Sequence, residues 1–156
     1  MNALAELLYG IAEQAATAVT PTPTRIVVSP GDVETWDDCC DGMVWLRVDS
    51  LVATGNRGDC GPAFTDLTLE LGVLRCETGS SDSGEPPTSE QINADTSQVY
   101  DDMDAVRYVL GCEVTGAKLD QWVPVGPQGG CIGGKWIFRL RVVPTRVEVP
   151  DEEPAP

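Results

Sequence analysis

The stretch Phe64-Thr65-Asp66-Leu67-Thr68-Leu69-Glu70-Leu71-Gly72-Val73-Leu74-Arg75-Cys76 decides the fold. Leu67, Leu69, Leu71 and Val73 recur at every second position, with Asp66, Thr68 and Glu70 between them. Successive side chains on an extended chain point to opposite faces. The pattern therefore predicts a strand with the leucines and Val73 inward and Asp66, Thr68 and Glu70 outward. Residues 43–53 alternate in the same way. Val44, Leu46, Val48 and Val52 fall on one face, and Trp45, Arg47 and Asp49 on the other. The cluster Gly55-Asn56-Arg57-Gly58-Asp59 between the two runs is turn chemistry, which predicts an antiparallel pair.

Further strands follow from the same rule. Residues 135–143 place Trp136, Phe138, Leu140 and Val142 on an inner face, with Lys135, Ile137, Arg139 and Arg141 on the outer one. Residues 122–125 and the short run 25–28 are also β-rich, and residues 33–41 read as an acidic loop. Helical spacing appears twice. In residues 2–19 it is carried by Leu4, Leu7, Leu8, Ile11, Ala15 and Val19, ending before Thr20-Pro21-Thr22-Pro23. Beyond a Ser/Gly/Pro/acid linker at 77–87, Ile92, Thr96, Val99, Met103, Val106 and Leu110 form the second stripe. Thr88 and Gln91 have capping-box spacing at its start, and Gly111 is a stop signal. The expectation is one α+β domain over residues 1–143. It has a mostly antiparallel or mixed sheet of four to five strands, with two helices packed on it. Residues 144–156, rich in proline and acid, are expected to extend from it.

Composition limits the chemistry. The 156 residues include 25 acidic against 10 basic side chains, a formal net charge of −15. Such a chain repels phosphate backbones and anionic lipid, so neither nucleic acid nor a membrane is the expected partner. Histidine is absent, which removes His-based triads, Cys-His nucleophiles and His metal ligands. Residues 1–19 lack a basic leader and carry Glu6 and Glu13, so folding in a reducing cytoplasm is expected. The six cysteines, at 39, 40, 60, 76, 112 and 131, then read as small buried hydrophobes with at most one bridge. A four-cysteine zinc site assembled from distant loops is the alternative.

Three motifs invite a functional reading. Gly129-Gly130-Cys131-Ile132-Gly133-Gly134-Lys135 has phosphate-loop spacing, but Trp136 stands where the motif needs Ser or Thr, and a strand follows instead of a helix. Its glycines suit a tight bend or close packing against a neighbouring subunit. Asp101, Asp102 and Asp104 diverge around a helix and read as a solvated face. Asp37, Asp38 and Asp41 lack the pattern of a calcium loop. Four of the ten basic residues lie between Lys135 and Arg146. This basic face is either a seam that meets an acidic surface on another copy or a charged guard on an edge strand. Nothing assembles a nucleophile, a base and an oxyanion site, so no enzyme and no cofactor is expected.

Several of these segments resemble a family of short virion proteins from phages of actinobacteria. The segment Cys39-Cys40-Asp41-Gly42-Met43-Val44-Trp45-Leu46-Arg47-Val48 is similar to a C-D-G-x-x-W-V-R-V strand of that family. Residues 67–76 are similar to its T-L-E-x-G-V-x-R-C strand, and 101–107 and 126–136 complete the order. That family resembles the tail terminators of long-tailed phages. The resemblance implies a homo-oligomer, a six-membered ring, seated on the last ring of tail tube protein. It would stop tube growth and offer a surface to the connector or stopper proteins of the head, with DNA only as passing cargo and the acidic surplus lining its channel. It implies a virion location at the neck. Trp45, Gly129, Gly130, Gly133, Gly134, Lys135, Arg139 and Arg141 are then the candidate contact residues, with loops 33–42 and 129–134. A head-tail stopper or adaptor is the alternative, and a small cytosolic cysteine-rich metal-binding or regulatory domain a more distant one.

Overall fold

The computed structural model describes residues 3–31, 39–54, 64–79 and 84–143. The turn cluster at 55–59, Cys60, most of loop 33–41, part of the 77–87 linker and the tail from 144 lie outside the described residues. The chain runs α1 (Ala3–Ala18), β1 (Arg25–Ser29), β2 (Met43–Thr54), β3 (Phe64–Cys76), α2 (Ser89–Tyr108), β4 (Lys118–Gln128) and β5 (Cys131–Val142). The five strands form one sheet in the order β1-β2-β3-β5-β4. All neighbours are antiparallel except β1 and β2. The fold is the expected α+β arrangement, a mixed sheet with both helices packed on it.

Both helices cover the same face. Leu67, Leu69, Leu71 and Val73 of β3 face Val44, Leu46 and Val48 on one side and Phe138 and Leu140 on the other, all in one buried cluster. From α1 that cluster receives Leu8, Ile11, Ala12, Ala15 and Ala16, followed by Val19. The alanines bring α1 close to the sheet and rotate its buried stripe away from Leu7, which is 41% exposed. The α2 contribution is Val106, continued by Val109 and Leu110. Gly111 does not end the helix. The chain passes through a π-helical turn, Val109–Glu113, closed by the Val114 N–H donating to the Val109 carbonyl at 3.1 Å.

Two irregularities redirect side chains. Between Val48 and Ser50 the β2 register slips by one residue at Asp49. A bulge of this kind reverses every later side chain. Leu51 therefore faces Leu67, and Val52, expected with Val48, faces Asp66 on the opposite side of the sheet. A second slip at Asp120 does the same in β4. The α2 stripe also departs from expectation. Ile92 is 52% exposed, and Thr96 is exposed. The capping box is present, with Thr88 and Gln91 bonded reciprocally. The N-terminal half of α2, however, is tied by polar contacts to the segment that follows β3. Asp95 accepts from the Thr78 backbone N–H and hydroxyl, both at 2.9 Å, and a groove opens between this half of α2 and strands β4 and β5.

Candidate functional site

The face of the sheet opposite the helices carries Trp45, Gly133, Lys135, Arg139 and Arg141 of the expected contact residues, while Gly129 and Gly130 lie in the β4–β5 turn and Gly134 faces the helix side. At the Cys76 end this face is roofed. Trp45, Met43 and Leu74 are buried there with Cys39 and Cys131, against Val27 and Val125. Trp45 does point away from the helices, but it is only 2% exposed and forms the centre of a second, smaller core. It is not available to a neighbour. Gly72, its cross-strand partner, leaves the space its indole fills.

The cysteines build the roof. Cys76 and Cys131 lie opposite each other across β3 and β5, and the adjacent Cys39 and Cys40 each reach one of them. The bridges are Cys39–Cys131 and Cys40–Cys76. Two bridges correct the expectation of buried thiols with at most one bond. Cys112 is free and exposed. The pairing depends on the β3–β5 register, which places two distant cysteines side by side. No spacing along the chain reports that.

The glycines also separate into two kinds. Gly129 and Gly130 form the two-residue turn between β4 and β5, with φ of 60° and 79°. Both are exposed, and positive φ at both positions is the requirement of a type I′ hairpin. Gly133 and Gly134 are not loop residues. They are buried inside β5, where a side chain on Gly133 would strike the Val73 carbonyl and one on Gly134 the Trp122 ring. The close packing expected of them is within the chain. Trp122 in turn leans on Trp136, ring centroids 5.7 Å apart, and the Trp136 indole donates to the Met103 carbonyl at 3.0 Å.

Away from the roof the bare face is a ladder of charge. Glu70, expected outward in solvent, is 5% exposed. It accepts from Arg47 Nε at 2.6 Å and from Lys135 Nζ at 2.7 Å. Burial pushes the Glu70 carboxyl up, but the hydrogen bonds from Arg47 and Lys135 outweigh it, and its pKa lies below the ordinary value. The same contacts raise Arg47. Lys135 also lies 5.9 Å from the Trp45 ring centroid. Further along, Arg141 grips Asp66 at 2.6 and 2.9 Å, and Arg139 grips Asp120 at 2.7 and 2.9 Å. The hydrogen bond from Arg141 holds the Asp66 carboxyl below its usual range. Both arginines are more than half exposed. Such pairs add little stability, but the two-pronged geometry fixes the guanidinium planes.

Beyond the ladder, the end of the sheet formed by β2 and β3 exposes apolar side chains. Leu51, Val52 and Phe64 are 53%, 56% and 46% exposed. Arg141 lies over the Phe64 ring, 5.7 Å from its centroid. On the helix side, at the opposite end of the sheet, the standing-off of α2 leaves a groove of about 380 Å³. Ile92, Val99 and Tyr100 form one wall, and Trp122, Pro124 and Ile132 the other. Neither apolar surface was apparent from the sequence, because the bulge at Asp49 and the tilt of α2 create them. The sheet edges are blunted. β1 has five residues, and β4 carries Pro124, Pro127 and two register slips.

Among the described residues no helix is long and apolar enough to cross a membrane. No family model matches the chain, and no curated protein matches it.

Proposed function

We propose that the chain is a structural protein of a long-tailed phage virion, a tail terminator that caps the head-proximal end of the tail tube. The observation that carries this reading is the one-sided sheet. Helices cover one face, while the other presents fixed rows of charge and ends in exposed Val52 and Phe64. Apolar residues grouped beside ordered charge are the anatomy of a protein-binding surface. The segments that resemble the terminator family fall on β2, β3, α2 and the β4–β5 hairpin, so the resemblance covers the elements that build this face and its roof.

In this reading six copies form a closed ring by a heterologous contact repeated around an axis. One side of the ring sits on the last ring of tube protein and the other receives the head connector. The activity is geometric, and no bond is made or broken. With 15 more acidic than basic residues per chain, a ring carries a strongly negative field, suited to a channel that DNA passes without adhering. The test is reconstitution. Purified protein added to polymerising tube subunits is expected to arrest growth at one end and to be found there as a single ring. Tubes that grow at an unchanged rate and length in its presence contradict the reading.

A further inference from the structure

We propose that the two bridges form a thiol–disulfide relay, in which reduction of the exposed bridge alone releases the roof from both. The four sulfurs come from three segments, and the relay turns on a pair that is not bonded, Cys76 and Cys131.

Cys76 of β3 and Cys131 of β5 are direct cross-strand partners. The Glu77 N–H donates to the Gly130 carbonyl at 2.7 Å, so residues 77 and 130 are a hydrogen-bonded pair, and 76 and 131 the non-hydrogen-bonded pair beside it. Cα atoms of such a pair lie about 4.5 Å apart, with both side chains on one face. The existing bridges span 6.0 and 4.1 Å between Cα atoms, so a Cys76–Cys131 bond falls within the range this site already uses. Each strand sulfur is instead held by the segment above it, Cys131 by Cys39 and Cys76 by Cys40.

The two bridges differ in access. Cys40 and Cys76 are exposed, whereas Cys39 and Cys131 are 3% and 2% exposed. A dithiol in solution therefore meets Cys40–Cys76 first. One of its thiolates attacks a sulfur of that bridge, and its second thiol resolves the mixed disulfide. The dithiol becomes a cyclic disulfide, and Cys40 and Cys76 become thiols, a two-electron reduction. The Cys76 thiolate then stands opposite Cys131. Its attack on the Cys131 sulfur forms Cys76–Cys131 and expels the Cys39 thiolate, which takes up the proton that Cys76 lost. This second step consumes no reductant.

The direction of the exchange follows from what each bond orders. Bonding Cys76 to Cys131 orders nothing that the sheet has not ordered already, while the segment bearing Cys39 and Cys40 regains conformational freedom. Cys40 does not compete for Cys39, because a bond between adjacent residues would close a small ring around a planar trans peptide. Cys39 packs with Met43, Trp45 and Leu74 in the small core, so its departure uncovers one side of Trp45. One equivalent of dithiol thus opens a roof that two bonds close, and the roof reports the redox state of its surroundings.

The test is partial reduction of the full-length oxidised protein. Thiols already free are blocked with N-ethylmaleimide, and dithiothreitol is added in stages. New thiols are alkylated with iodoacetamide and mapped, together with the remaining disulfides, by mass spectrometry. The first reduced species is expected to carry the second label equally at Cys39 and Cys40, with Cys76 linked to Cys131. Labels at Cys40 and Cys76 with Cys39–Cys131 intact would overturn the inference. So would four new labels with no species that carries two, or an oxidised parent that lacks the two bridges. Cys40→Ser gives an independent readout without reductant. It leaves Cys76 as a thiol from the start, so a Cys76–Cys131 peptide and an alkylatable Cys39 are expected at mildly alkaline pH. A Cys40→Ser chain that holds Cys39–Cys131 alone would contradict the relay.

Discussion

Arg75 of β3 and Asp102 of α2 form a two-pronged ion pair under the helix layer, Nε to Oδ2 at 2.5 Å and Nη2 to Oδ1 at 2.8 Å. The same guanidinium donates to the Pro21 carbonyl at 3.0 Å. Gln98 joins the network, donating to Asp102 and to the Thr20 carbonyl. One buried carboxylate thus ties α2 to the central strand and to the segment that follows α1.

Removing half of this pair is predicted to be costly. Asp102→Ala leaves a largely buried guanidinium without its carboxylate, and stability is expected to fall by about 3 kcal/mol in urea titration. Replacing both partners by apolar residues, Arg75→Met with Asp102→Leu, is expected to recover most of that loss. A double variant as unstable as the sum of the two single ones would show that the pair does not act as a unit.

Glu70 gives a pH dependence with a defined sign. Its folded pKa lies below the ordinary value of 4.5 because Arg47 and Lys135 hold its charged form. Its contribution is therefore complete above that value and is lost as pH falls through the lowered one. Glu70→Gln is expected to destabilise the chain by about 2 kcal/mol at neutral pH. The gap from the parent should narrow only below about pH 4.5. A gap that stays constant into strong acid would mean that Glu70 acts by shape and not by charge.

The two bridges predict a redox-sensitive roof. Cys39–Cys131 spans 92 residues, and loop-closure entropy alone assigns such a bridge about 4.6 kcal/mol. Under oxidising conditions the protein is expected to have two disulfides by mass, and reductant should lower its melting temperature. Cys39→Ser is expected to cost more than Cys40→Ser, because Cys39 is buried in the small core and Cys40 is exposed. Six free thiols in the air-oxidised protein would contradict the pairing.

Gly134→Ala tests the tryptophan packing. A methyl group there meets the Trp122 ring, so the indole must move and its contact with Trp136 must change. A loss of about 1 to 3 kcal/mol is expected, with altered tryptophan fluorescence. Gly129→Ala disturbs only a turn of positive φ, and the fluorescence should stay as in the parent.

What the sequence disclosed was set by period. The alternation in β3 and β5 carries the sheet, because an unbroken period of two leaves one solution for which residues face the core. Where one residue breaks the period, the reading inverts. Asp49 sends Val52 to the wrong side of any simple alternation, and Asp120 does the same to the residues after it in β4. Residue type misled elsewhere. Asp102 and Glu70 look like solvent-facing acids because their partners, Arg75, Arg47 and Lys135, are distant in the chain. The alternation in β2 puts Trp45 on the face away from the helices, but its burial depends on a roof built by cysteines from three separate segments. Arg139 and Arg141 were legible as an exposed basic row, and the structure adds the carboxylates that orient them.

The most direct test of the terminator reading is the length of tails made without this protein. In lysates of the parent phage with the gene disabled, electron microscopy is expected to show tail tubes far longer than normal beside filled, tailless heads. Tails of normal length that fail to join heads would assign the chain to a stopper or adaptor, and intact infectious particles would contradict a role at the head-tail junction.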